Sequence, residues 1–195
     1  MKNKFLLAAA LVLGGFSMAN AQGYVPGFGG KHNCVKTDFN CGWFLNEFSH
    51  IDGSDKRGMF GFGGSITYEH VFKPGIGVGV SAIMDNGNDG NVFTYFVGPS
   101  FVYAGTHGNW VIDCSAGLGE GGLKYDLARG DRADSGGFGF FLQVEAQRHI
   151  SKHFGIAVGF RLLGSGVIDV EYEDDYYITP GFVTARFTIG PRFYF

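Results

Sequence analysis

Beyond Gly15 the chain has no long apolar run. A spanning helix needs about 20 consecutive apolar residues, so no helical crossing is available after that point. Cationic charge is scarce as well. Lys and Arg number 15 against 18 Asp and Glu, for a net charge of -3, and no basic footprint for nucleic acid is present. The three Cys are an odd number and cannot all pair within one chain. Helix-favouring composition is lacking too: Gly accounts for 34 of 195 residues, more than double the roughly 7% of ordinary chains, and opposes helix formation. These Gly follow no Gly-X-Y period, which sets collagen aside. What the chain does have is aromatic residues, at 16%, carried by 21 Phe and only 2 Trp. That content excludes a disordered chain and suits a β-rich one.

The first residues read as an export signal. Lys2 and Lys4 precede the short apolar run from Phe5 to Gly15, and Ala19-Asn20-Ala21 offers small residues where a signal peptidase reads. Residues 1–21 are expected to be removed after Ala21, and the segment has no Cys for a lipid anchor. Residues 22–38 form an N-terminal segment, and a β-domain is expected over 39–195.

That domain shows period-2 alternation broken by turns. In the last strand Phe187, Ile189, Pro191, Phe193 and Phe195 share one face, while Arg186, Thr188 and Arg192 share the other. Similar alternation runs through 59–72, 76–84, 93–103, 110–118, 138–147 and 154–162. These make seven strands with the terminal one, and residues 39–50 are a weaker candidate for an eighth. Short turns at Lys73-Pro74-Gly75, at 105–108 and at Ser151-Lys152-His153 alternate with longer polar loops. An all-β, eight-stranded antiparallel up-and-down barrel is the expected fold, since a closed bacterial barrel takes an even strand count. Gly-Pro-x-Phe occurs at 98–101 and again at 190–193. Proline removes a ladder hydrogen bond, so a bulge or local irregularity is expected at both.

On these strands and on the terminal aromatic, the chain resembles the small eight-stranded outer-membrane barrels of the OmpA membrane-domain and OmpX/Ail type. The resemblance implies an integral outer-membrane protein of a Gram-negative bacterium. Its terminal strand, with Phe187, Ile189, Phe193 and Phe195, would be the signal read by the barrel-assembly machinery. Its implied partners are outer-membrane lipid and lipopolysaccharide, with periplasmic chaperones and the assembly machinery during biogenesis. A monomer with no cofactor is expected.

Eight strands enclose a lumen just wide enough for side chains to fill. The face opposite the apolar one carries Glu69, Asp113, Gln143, Glu145, Arg161, Arg186 and Arg192. Charges of both signs in a narrow lumen must pair. An ion-pair network centred on Glu145 with Arg161 and Arg186 is therefore expected to plug the barrel, in a structural or surface-interaction protein without catalysis. A narrow ion channel, an adhesin and a lipid A-modifying enzyme are the alternatives. Arg129-Gly130-Asp131 spells an adhesion tripeptide, and an acidic stretch at 171–175 offers carboxylates to divalent cations. For an enzyme, His149 and Ser151 are the nearest candidates. Cys34 and Cys41 are close enough in sequence to bridge, while Cys114 is expected as a free thiol on the apolar face.

Overall fold

The computed structural model describes residues 25–45, 59–73, 75–87, 92–126, 132–167, 170–172, 175–177 and 181–195. Eight long strands make the body: β1 (Asn33–Phe44), β2 (Phe60–Val71), β3 (Ile76–Gly87), β4 (Val92–His107), β5 (Trp110–Asp126), β6 (Arg132–His149), β7 (Phe154–Val167) and β8 (Phe182–Tyr194). Each pairs antiparallel with its neighbour in sequence, and β8 pairs antiparallel with β1. The sheet is thereby closed and no long strand has a free edge. Val170–Tyr172 and Asp175–Tyr177 form a small separate hairpin between β7 and β8. Residues 1–21 and the tripeptide Arg129-Gly130-Asp131 lie outside the described residues.

The connections β2–β3, β4–β5 and β6–β7 are tight and lie at one end, hereafter the turn end. At the β4–β5 turn Gly108 has φ +59°, a left-handed value that glycine adopts without steric cost. The chain before β1 also folds against this end. Val25 pairs with Thr106 and Pro26 with Gly105 on β4. A tight turn then joins Phe28 and Lys31 by reciprocal backbone hydrogen bonds of 3.2 Å. The Thr106 hydroxyl fixes this turn, donating to the Gly27 carbonyl (2.6 Å) and accepting from the Gly29 amide (2.7 Å).

The strand expected weakly over 39–50 is β1, and it lies earlier, at Asn33–Phe44. A boundary at residue 39 would cut it in half. Its inward row reads Cys34, Lys36, Asp38, Asn40, Gly42 and Phe44, and its outward row reads Val35, Thr37, Phe39, Cys41 and Trp43. Charge on the inward side and small or polar residues on the outward side blur the apolar period until Phe39.

The two Gly-Pro sites are irregular without being bulges. Pairing of β4 with β5 skips Gly98 and Pro99, then resumes at Ser100 with Gly117 in unchanged register. Pairing of β8 with β1 skips Gly190 and Pro191, then resumes at Arg192 with Lys36. On their other sides the ladders run through, with Pro99 opposite Val80 and Pro191 opposite Ile156. Proline has thus interrupted one ladder at each site without inserting a residue.

Exterior and interior are chemically inverted relative to a water-soluble barrel. Outward-facing Phe101, Ile66, Phe138 and Phe187 are all more than half exposed, whereas Lys36, Arg161, Arg186 and Arg192 are fully buried inside. Interior room is made partly by glycine. A Cβ on Gly159 would come within 2.8 Å of both the Glu145 Cβ and the Thr188 hydroxyl. Gly159→Val should therefore destabilise the barrel by roughly 1–3 kcal/mol, the usual cost of overpacking. The urea midpoint of the detergent-folded protein would read this, and an unchanged midpoint would show that the lumen has slack there.

Candidate functional site: the lumen

The interior is stratified along the barrel axis. Toward the loop end lies an apolar layer of Phe44, Ile83, Val92, Phe96, Leu123, Phe141, Leu163 and Phe182, with Met59 packed against it. Phe96 and Phe141 meet edge to face at 5.2 Å within it. Toward the turn end lies a second apolar layer of Phe28, Cys34, Val71, Val102, Ala104, Val111 and Tyr194. Phe28, delivered by the N-terminal turn, packs on Tyr194 with ring centroids 5.7 Å apart. Between these layers sit the charged residues.

One half of the polar layer centres on Lys36. Its Nζ lies 2.6 Å from Glu69, 2.9 Å from Asp113 and 3.0 Å from Glu145. Arg192 Nη2 lies 2.7 Å from Glu145 and 2.6 Å from Asp38. Gln143 and Gln147 each donate to Glu145 at 2.6 Å. The Tyr194 hydroxyl in turn donates to Gln147 at 2.8 Å, tying the polar layer to the apolar layer beneath. The other half centres on Arg161, which pairs with Asp38 at 3.2 Å and donates to Ser65 and Gln143 at 2.8 Å. Arg186 pairs with Asp85 at 3.2 Å, donates to the Gly42 carbonyl at 2.8 Å and lies over the Phe44 ring at 4.5 Å. Asp38 links the halves, because it accepts from both Arg161 and Arg192.

The seven residues singled out from sequence, Gln143 among them, all face the lumen, but the ion pairs differ from expectation. Glu145 pairs with Arg192 and Lys36, Arg161 with Asp38, and Arg186 with Asp85. The register explains this. Arg161 and Arg186 are direct cross-strand neighbours, as are Arg192 and Lys36, and as are Asp113 and Glu145. Like charges side by side repel. Each must reach across the lumen or diagonally to a carboxylate or ammonium on another strand. Lys36, Asp38 and Asp85 were missed by the sequence reading. The first two lie in the part of β1 placed outside the barrel, and Asp85 continues β3 where a polar loop was read from it onward. Asp85 continues the inward row of Ser81 and Ile83, one residue past the alternation read over 76–84.

The cysteines do not bridge. Cys34 points into the lumen and Cys41 points outward from the same strand, and both are free, as is Cys114. Seven residues of extended chain separate them by roughly 23 Å at about 3.3 Å per residue. A disulfide holds its Cα atoms about 4.4–6.8 Å apart. Phe187, Ile189, Phe193 and Phe195 line the outer face of β8, each about half exposed. At the turn end two imidazoles contact backbone carbonyls. His32 Nδ1 lies 2.8 Å from the Val71 carbonyl and His153 Nδ1 lies 3.0 Å from the Tyr194 carbonyl.

Two measurements check this site. Lys36→Met would leave Glu69 and Asp113 without their cation, and the loss of one partner from a buried pair costs roughly 3–5 kcal/mol. Equilibrium urea unfolding in detergent should show that loss, while a wild-type midpoint would make the Lys36 cluster energetically idle. Denatured, unreduced protein should react with maleimide at all three Cys, and one thiol per chain would indicate a Cys34–Cys41 bridge.

No family model matches the sequence, and no curated protein matches it. Solved structures do share the fold. Neisserial surface protein A superposes with a TM-score of 0.65 at 14% identity, over 84% of this chain and 97% of that one. The N-terminal β-barrel domain of Pseudomonas aeruginosa OprF gives 0.54 at 12% identity, over 85% and 98%. The outer membrane protein OprG from Pseudomonas aeruginosa gives 0.54 at 12% identity, over 90% and 99%. At these identities the likeness speaks of the fold, and the fold is that of the small eight-stranded outer-membrane β-barrels.

Proposed function

We propose that this protein is an integral outer-membrane barrel with a structural or surface-interaction role and a lumen closed to ions. The observation that carries the reading is the layered interior: a network of paired charges held between two apolar layers. A conducting pore needs a continuous polar path, and the Phe96–Phe141 layer and the Phe28 plug both oppose one. The membrane placement is supported by the outward apolar surface and by aromatic pairs toward both ends. Trp43 packs on Phe60 at 5.3 Å toward the loop end, and Phe154 packs on Phe193 at 5.5 Å toward the turn end. Such girdles suit the two interfaces of a bilayer. In this placement the turn end faces the periplasm and the loops face outward. Outer-membrane lipid and lipopolysaccharide then surround the barrel, with the assembly machinery reading β8 during insertion.

The role is non-catalytic in this reading. The two candidates for chemistry make contacts of their own: the His149 ring packs on Tyr194 at 4.4 Å, and the Ser151 hydroxyl accepts from the His153 amide at 3.3 Å. An outward interaction surface is favoured by β5 and β6, the longest strands at 17 and 18 residues, which carry the loop with Arg129, Gly130 and Asp131.

Planar-bilayer recording tests the closed lumen. Purified protein whose heat-modifiable gel migration shows it to be folded should give no steady unitary current. Reproducible single-channel steps would overturn the closed-lumen reading and favour the narrow channel.

A further inference from the structure

The turn end is electrostatically one-sided. Lys73 on the β2–β3 turn, Arg148 at the end of β6 and Lys152 on the β6–β7 turn are exposed, and Lys31 on the N-terminal turn is half-buried. His32, His107 and His153 are exposed beside them. Among the described residues of this end no Asp or Glu side chain is exposed. The nearest carboxylates, Glu69 and Asp113, are buried in the lumen on Lys36. At the opposite end the sequence runs the other way: across segments 46–58, 88–91, 127–131 and 168–180 taken together, Asp and Glu outnumber Lys and Arg.

These cations are placed among exposed apolar side chains. Lys73 follows Phe72, which is 51% exposed, and Lys152 follows Ile150, which is 61% exposed. The Arg148 guanidinium lies over the Trp110 ring, 5.6 Å from its centroid. A long cationic side chain that lays its stem on apolar surface and lifts its charge beyond it matches the depth of lipid headgroups. Lys73, just past β2, and Arg148, at the end of β6, also stand at well-separated strands, so the charge is spread round the rim and not gathered in one pocket. That spacing suits a surface that surrounds the barrel.

We propose that this cationic rim is a docking surface for anionic phospholipid headgroups of the leaflet it faces. The proposal rests on the membrane placement given above and adds a lipid preference confined to one end. Favourable contact with anionic lipid is the general behaviour of Lys and Arg beside a membrane. Here no exposed Asp or Glu side chain stands at the described rim to cancel that attraction.

The two tryptophans make the test direct, since Trp110 reports on the turn end and Trp43 on the loop end. The mature protein carrying Trp43→Phe is folded into vesicles of phosphatidylcholine and phosphatidylglycerol in which either lipid is brominated in its acyl chains. Brominated phosphatidylglycerol should quench Trp110 as if bound at least about two-fold more tightly than brominated phosphatidylcholine. The preference should vanish when Lys73, Arg148 and Lys152 are all changed to Gln, each variant being normalised to its own unquenched signal. In the reciprocal Trp110→Phe protein, Trp43 should be quenched alike by both lipids. Should the triple variant fail to fold, Lys73→Gln and Lys152→Gln taken singly, both on exposed turns, should each lower the preference. Equal quenching of Trp110 by the two lipids would overturn the proposal, as would a preference that survives loss of the cations. Failure of either lipid to quench either tryptophan would instead overturn the membrane placement itself, and the proposal with it.

Discussion

The structure depends on ion pairing across the lumen. The cations Lys36, Arg161, Arg186 and Arg192 come from β1, β7 and β8, which are contiguous in the closed sheet. Glu69, Asp85, Asp113 and Glu145 come from β2, β3, β5 and β6. Only Asp38 crosses to the cationic wall, and there it separates Arg161 from Arg192. Neither wall is tolerable alone, because each lines up like charges on adjacent strands. Together they offset one another to within one charge, four cations against five carboxylates, and the barrel's diameter is what brings them within reach.

The apolar layers at the two ends give that pairing its strength and its risk. By excluding water they raise the interaction between opposite charges, and by the same means they raise the cost of any charge left single. Gln143, Gln147, Ser65 and Asn40 add hydrogen bonds between the ions, so the middle layer is a connected network and not a set of isolated bridges. Phe28 belongs to this logic. It is the one large side chain of the lower layer supplied from outside the eight strands, so the segment before β1 is part of the interior.

Much of the fold was legible because a closed barrel with an apolar exterior writes its outer face plainly. Rows such as Ile76, Val78, Val80 and Phe187, Ile189, Phe193 alternate cleanly because every second residue points to the barrel's apolar outer face. The tight turns were legible from Pro74, Gly75 and Gly108. The interior was less so. Phe96 and Phe141 face inward although aromatic, and Lys36 and Asp38 face inward although charged; a two-letter apolar/polar pattern cannot sort these. Identifying Glu145 as a lumen residue needed only alternation, but finding Arg192 and Lys36 as its partners needed the strand stagger. That stagger is a property of the closed sheet and of no single strand.

The interruption of the ladder at Gly190 and Pro191 falls on the β8–β1 seam, where the first and last long strands meet. Joining residues some 150 positions apart carries the largest loop-closure cost in the molecule, so this seam is the natural last step of assembly. With two rungs missing, the seam relies on what lies behind it. Arg192 to Asp38 spans it directly, and Lys36 draws β1 toward β2, β5 and β6. To reopen it, several buried charges must part before water can reach them. The durability of such a barrel is then a matter of rate, set by the barrier to parting the seam, and the equilibrium between open and closed forms says little about how long a folded molecule lasts.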